Sequence, residues 1–192
     1  MPSLKGSQTE KNLLAAFAGE SQARNRYTYF AGAARKAGLE GIAAIFQETA
    51  DNEKEHAKVF FKHLEGGEVE ITAAYPAGVI GDTAANLKAA AAGEKLEWSK
   101  LYPGAAETAR REGFPQVAES FEQIGKVESW HERRYNRLVE RLVKGEVFRR
   151  SQKIRWKCLN CGYVSEAAEA PASCPACKHP QAYQEPWTDQ SY

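Results

Sequence analysis

FQETADNEKEHAKVFFKHL, residues 46–64, and FEQIGKVESWHERRYNRL, residues 121–138, decide the fold. Each holds a Glu-x-x-His pair, Glu53–His56 and Glu128–His131, 75 residues apart. Both pairs sit inside a stripe of apolar positions that recurs at helical spacing. One stripe runs through Ile42, Ile45, Thr49, Glu53, His56, Phe60 and Leu64, with Phe46 beside it. The other runs through Val117, Phe121, Ile124, Glu128, His131, Tyr135, Leu138 and Leu142. Side chains this hydrophilic at core positions, twice over, need a reason that packing does not give. A bound metal supplies one.

Two further helices share the pattern. The first places Leu13, Ala16, Glu20, Ala23, Tyr27 and Phe30 on one face, and the third places Leu87, Ala90, Glu94, Glu97 and Leu101. Ser7 and Glu10 form a capping box for the first helix, which ends at Gly38; the second runs from about Glu40 to Gly66-Gly67. A Gly- and Pro-containing connection follows to Gly81. Asp82 then caps a third helix that reaches Gly113 with Pro103 as an expected kink, and Pro115 opens the fourth, which fades near Gly145. The chain is expected to be mainly α. Short, long and short connections predict a ferritin-like four-helix bundle with one long crossover.

The halves repeat at an offset of 75: Tyr27 on Tyr102, Gly38 on Gly113, Phe46 on Phe121, Glu53 on Glu128 and His56 on His131. Glu20 falls on Glu94 at 74, so one extra residue lies between Glu94 and Tyr102. A helix absorbs such an insertion as a π-turn, predicted here between Glu94 and Leu101.

With a net charge of +1 and interspersed signs, the chain has no field suited to nucleic acid or to a membrane surface. Residues 1–11 lack an apolar signal core, and no apolar run approaches the ~18 residues of a spanning helix. All four cysteines fall between Cys158 and Cys177. Clustered thiols of this kind fit a reduced, cytoplasmic protein with one thiolate site rather than a disulfide-stapled one.

Glutamates are common on helix surfaces, and 27% of the chain is charged. Five glutamates and two histidines in register with apolar stripes are a different matter. Burying them unpaired would cost several kcal/mol each, roughly. Two cations remove that cost. Mostly oxygen donors suit iron or manganese, and a Glu from each of two helices plus Glu-x-x-His from the other two is a di-iron carboxylate set. Glu20 and Glu94 are the single glutamates. Glu97 is surplus and permits ligand exchange. Tyr27 and Tyr102 are placed to hydrogen-bond ligand carboxylates, with plain core packing as their alternative.

From residue 154 the helical period gives way to aromatic and turn residues. Cys158-x-x-Cys161 and Cys174-x-x-Cys177, with twelve residues between them, make a four-thiolate site. Spacing alone allows a structural zinc ribbon as readily as iron. The Gly162-Tyr163 step and Pro175 favour iron, as does the neighbouring redox-capable pair; Trp156, Tyr163, Tyr183 and Trp187 can supply an aromatic shell to either metal. The expected division is a bundle over 1–146, a linker over 147–153 and a small metal-binding module over 154–192.

The whole chain resembles rubrerythrin. The residues that carry this are Glu20 in Ala18-Gly19-Glu20-Ser21-Gln22-Ala23, Glu53-x-x-His56, Glu94-x-x-Glu97, Glu128-x-x-His131, and the knuckles Cys158-Leu159-Asn160-Cys161-Gly162-Tyr163 and Cys174-Pro175-Ala176-Cys177. The resemblance implies a non-haem di-iron peroxidase that reduces hydrogen peroxide to water, with a rubredoxin-like mononuclear iron in the tail. It implies electrons drawn from NAD(P)H through a separate reductase or rubredoxin, and relay across a head-to-tail homodimer. It also implies that one iron moves between Glu97 when oxidised and His56 when reduced. Catalytic roles then fall to Glu97, His56, Tyr27 and Tyr102. Rival readings are a ferritin-like ferroxidase or iron store, and a non-enzymatic protein with zinc in the tail.

Overall fold

The computed structural model describes residues 3–188. Helices α1 (Gln8–Lys36), α2 (Glu40–His63), α3 (Thr83–Leu96), α4 (Tyr102–Arg111) and α5 (Pro115–Val143) build the bundle. A π-helical segment, Glu97–Leu101, joins α3 to α4, so these two form the bundle's third long helix. Among the described residues, no helix is long and apolar enough to cross a membrane.

Local chemistry sets the boundaries. The Ser7 hydroxyl accepts from the Glu10 N–H at 3.0 Å, and the Glu10 carboxylate accepts from the Gly6 N–H at 2.7 Å. The box predicted at α1 is therefore made, with its return bond displaced to Gly6. Gly38, at φ 73°, closes α1 and lets the Leu39 N–H bond the Ala34 carbonyl at 3.0 Å. Asp82 caps α3 by accepting from the Ala85 N–H at 2.7 Å. Residues 64–82 cross the bundle without regular structure.

The π-turn lies where the repeat offset predicts it, and it corrects the expected stripe of the third helix. Leu101 is 49% exposed, whereas Tyr102 is 3% exposed. One extra residue advances the phase by about 100°, which turns Tyr102 inward in place of Leu101. Pro103 stands at the start of α4, where the hydrogen-bond ladder is already being reset.

Two apolar clusters flank a polar middle layer. One centres on Tyr27, Phe46 and Tyr135; the other centres on Phe60, Tyr102 and Phe121. At the repeat offset of 75, Tyr27, Phe46 and Phe60 correspond to Tyr102, Phe121 and Tyr135. Each cluster is thus the repeat image of the other.

Strands β1 (Arg149–Cys158), β2 (Val164–Glu169) and β3 (Gln184–Trp187) form an antiparallel sheet in the order β2-β1-β3. Strand β1 takes in residues 149–153, the second part of the expected linker, because Arg149 pairs with Glu169 and the Phe148 carbonyl accepts from the Ala170 N–H. Trp156 is fully buried and donates to the Ala167 carbonyl at 3.0 Å. The module packs on the start of α2, where a Cβ on Gly41 would stand 3.7 Å from the Glu185 Cβ.

Deleting Ser99, an exposed residue of the π-turn, should restore an α-helical count and swing Tyr102 out of the core. The expected protein is helical by circular dichroism yet keeps less than about half the wild-type bundle iron. Undiminished iron would show that the turn is dispensable for the site.

Candidate metal centres

Glu20 from α1, Glu53 and His56 from α2, Glu94 from α3, and Glu128 and His131 from α5 converge between the two apolar clusters. Their ligand atoms form two sets, Glu20–Glu53–His56–Glu128 and Glu53–Glu94–Glu128–His131, each within 4.8 Å across. Glu53 and Glu128 belong to both. His56 Nδ1 lies 2.8 Å from Glu53 Oε2 and 2.8 Å from Glu128 Oε1. His131 Nδ1 lies 2.8 Å from Glu128 Oε2 and 3.3 Å from Glu53 Oε1. Each of these two carboxylates therefore faces one set with each oxygen, which is what bridging two cations requires. Glu20 stands 3.9 Å from His56, and Glu94 stands 3.9 Å from His131, as the outer member of each set.

Burial makes this arrangement expensive without cations. Glu20, Glu53, Glu94 and Glu128 are at most 1% exposed. Glu20 Oε2 and Glu94 Oε2 are buried without a hydrogen-bond partner, and the Glu53 and Glu128 oxygens have only the two imidazoles to face. Burial, then the Glu53 and Glu128 charges, push Glu20 and Glu94 well above the usual carboxylate range. Burial would lower His56, but bonds to Glu128 and Glu53 outweigh it and hold the imidazole at about 10; the same contest holds His131 at about 9. Four carboxylates carry a formal charge of −4, which two divalent cations cancel with both imidazoles neutral. The donor set fits a pair of irons.

The tyrosines cross over between the halves. The Tyr27 hydroxyl donates to Glu94 Oε1 at 2.6 Å, and the Tyr102 hydroxyl donates to Glu20 Oε1. Each orients the outer carboxylate contributed by the opposite half, across the bundle from its own helix.

Glu97 joins neither set. It is half-buried in the π-turn, and burial, then the Glu128 and Glu53 charges, push it up to about 8. It lies at a half-open cleft of about 610 Å³ between α1, the π-turn and the crossover, which Tyr102 and Arg26 also line. Tyr75 of the crossover roofs this cleft, its hydroxyl donating to the Ala15 carbonyl at 2.6 Å. The sequence reading did not single out Arg26 or Tyr75. Arg26 lies off the buried stripe; Tyr75 had only its isolation, as an aromatic in a Gly- and Pro-containing connection, to mark it.

In the module the four sulfurs form a third set. Cys158 and Cys177 Sγ are 3.7 Å apart, and Cys161 and Cys174 Sγ are 3.6 Å apart. A tetrahedron with metal–sulfur bonds of about 2.3 Å has edges of about 3.8 Å, so one ion fits among them. Backbone N–H groups two residues past each knuckle, on Tyr163 and His179, reach Cys161 and Cys177; the bond from His179 is the main pull holding the Cys177 thiol at about 6. Donors aimed at sulfur are what stabilise an anionic thiolate cluster.

Comparison with known proteins agrees with this geometry. The rubrerythrin family model matches residues 11–139, and the model of the rubrerythrin rubredoxin-like domain matches residues 156–185. A rubrerythrin of Porphyromonas gingivalis is 62% identical over 184 residues, covering 96% of this chain and 92% of that protein. One from Nitratidesulfovibrio vulgaris is 56% identical over 183 residues, covering 95% and 96%. Among solved structures, nigerythrin in a partially reduced state superposes with a TM-score of 0.63 at 30% identity, covering 96% of this chain and 88% of that one. Symerythrin from Cyanophora paradoxa, reduced with dithionite, gives 0.63 at 26% identity, covering 74% and 89%.

Cations must displace protons from the imidazoles, held at about 10 and about 9. Ferrous binding to the apo bundle should therefore release protons and tighten as pH rises from about 6 to 8, by about tenfold per pH unit for each proton released. Anaerobic titrations in two buffers of different ionisation enthalpy measure this. Affinity that is flat or falls with pH would contradict the proton inventory.

Proposed function

The chain belongs to the rubrerythrin family, with a carboxylate- and imidazole-bound di-iron site in its bundle and a four-cysteine rubredoxin-like site in its tail, and on that premise we propose that it is a non-haem peroxidase reducing hydrogen peroxide to water in oxidative-stress defence. One observation carries the reading: a half-open cleft ends at a carboxylate outside both ligand sets, beside a two-metal cluster, in a chain that also holds a one-electron thiolate site. An iron store needs the cluster but not the thiolate module. We assign one iron to Glu20, Glu53, His56 and Glu128, the other to Glu53, Glu94, Glu128 and His131, and a mononuclear iron to Cys158, Cys161, Cys174 and Cys177.

When bound, the ferrous pair supplies two electrons together, as cleavage of an O–O bond requires. The protein's own groups do the rest. Glu53 and Glu128 fix the separation of the two irons. Tyr27 and Tyr102 hold Glu94 and Glu20 in place. Glu97, at the cleft and pushed up to about 8, can carry a proton to the departing oxygen near neutral pH. Glu97 is the spare carboxylate at hand to balance the added positive charge that an oxidised pair would carry. An exchange in which it replaces His56 is therefore electrostatically favoured.

Cys158, Cys161, Cys174 and Cys177 would hold an iron able to return electrons one at a time, drawn from NAD(P)H by a separate reductase or a rubredoxin. The module packs at Gly41, and Glu53 lies twelve residues further along α2, on the order of 18 Å at 1.5 Å per residue. That span favours relay between the module of one chain and the bundle of another in a head-to-tail homodimer. The four clustered thiols fit the reducing cytoplasm. Residues 1–146 and 154–192 act as the two working units, joined at 147–153.

Cys161→Ser should abolish steady-state turnover while leaving one round of bundle oxidation when the prereduced protein meets peroxide in a stopped-flow mixer. Steady-state rates equal to wild type would remove the thiolate site from the relay. Glu97→Ala should change the electronic spectrum of the oxidised bundle far more than that of the reduced one. Equal effects on both states would end the ligand-exchange assignment.

A further inference from the structure

Hydrogen peroxide occupies about the space of two waters, or roughly 60 Å³ at ~30 Å³ each. The cleft at Glu97 is about 610 Å³, a size usual for sites that hold small organic ligands. Much of its wall is apolar, with Gln8, Asn12, Lys100 and Thr108 adding polar groups. Leu96 and Leu101, at either end of the π-turn, are each 49% exposed and both line it. Opposite them run Ala15, Ala16 and Gly19 of α1, and the ring of Tyr75 covers Gly19, whose Cβ would stand 3.5 Å from it. The polar side chains Gln22 and Arg26 line the same cleft as Glu97, and Arg26 Nε is buried without a hydrogen-bond partner.

We propose that this cleft admits organic hydroperoxides, seating an apolar tail against Leu96 and Leu101 with the hydroperoxide group at Glu97 and Arg26. The inference rests on the peroxidase reading and extends it to a substrate class. The reaction breaks the O–O bond of ROOH and yields ROH and water. Its two electrons come from the ferrous pair and are replaced through the cysteine-bound iron; its two protons come through Glu97 and solvent. The unpartnered Arg26 Nε is a donor for the alkyl-bearing oxygen as charge develops there. Two leucines half in water at the mouth of a redox site gain from covering by an apolar tail, which hydrogen peroxide does not have.

Gly104 of α4 lines the cleft, and a Cβ there would meet nothing within 4 Å, so Gly104→Leu fills the tail region without strain and favours the helix. Prereduced, iron-loaded protein is mixed with cumene hydroperoxide and with hydrogen peroxide, and bundle oxidation is followed optically. Separately, 2-phenyl-2-propanol, the unreactive product, is titrated into the full chain and followed by NMR. Wild type should be oxidised by both peroxides and should bind the alcohol at cleft residues. In Gly104→Leu the ratio of cumene hydroperoxide to hydrogen peroxide rate constants should fall about tenfold or more, with a matching loss of alcohol affinity. Oxidation by hydrogen peroxide alone overturns the inference and leaves the peroxidase reading standing. So does an unchanged ratio with unchanged alcohol binding. Failure of both peroxides overturns that reading and the inference together.

Discussion

Four glutamates with at most 1% exposure cannot share one core unless something cancels their charge. Removing carboxylates from water costs roughly several kcal/mol apiece, a sum comparable with the whole stability of a domain. Protons on His56 and His131 and on two of the carboxyls can offset it in part. Two cations offset it entirely while leaving every ligand in the form that binds metal. The rest of the bundle follows from that need. Its apolar residues divide into two clusters, one on each side of the charged layer, so that oxygen and nitrogen donors meet only one another and the ions. The hydroxyls of Tyr27 and Tyr102 each reach out of their cluster to hold a ligand carboxylate.

This division explains how far the sequence could be read. Glu53, His56, Glu128 and His131 were legible because a charged residue in an apolar stripe is rare enough to need a cause, and the repeat at 75 supplied the same anomaly twice. The π-turn was legible from arithmetic, since a one-residue mismatch between repeats has few places to go in a helix. Leu101 departs from the α-helical stripe for the same cause: α-helical steps do not hold through a segment that is not α-helical. The partners of the tyrosines were not legible. Spacing set Tyr27 two turns from Glu20 and Tyr102 two turns from Glu94, yet each hydroxyl serves the carboxylate of the other half, because packing across the bundle decides the partner. Arg26 and Tyr75 left no periodic trace. Their roles depend on where the long crossover lies, and no pattern in the chain encodes that.

The repeat is most instructive where it fails. Moving Glu97 back by 74 or 75 residues lands on Ala23 or Gln22, so α1 has no counterpart of Glu97. The inserted residue that makes the π-turn and the surplus Glu97 occur together, in one half only. A symmetric cage of six ligands would hold two ions equally well and would have no reason to react at one face. One added carboxylate with a cleft opening onto it, present on one side only, makes the two halves of the site inequivalent. Two features fall on that same face: the π-turn, which loosens the regular ladder of the third helix, and the crossover, which replaces a helical wall with loop. Rigidity is kept where the metals must be held apart, in α2 and α5 with their bridging glutamates. Irregular backbone is confined to the face where Glu97 and its cleft lie.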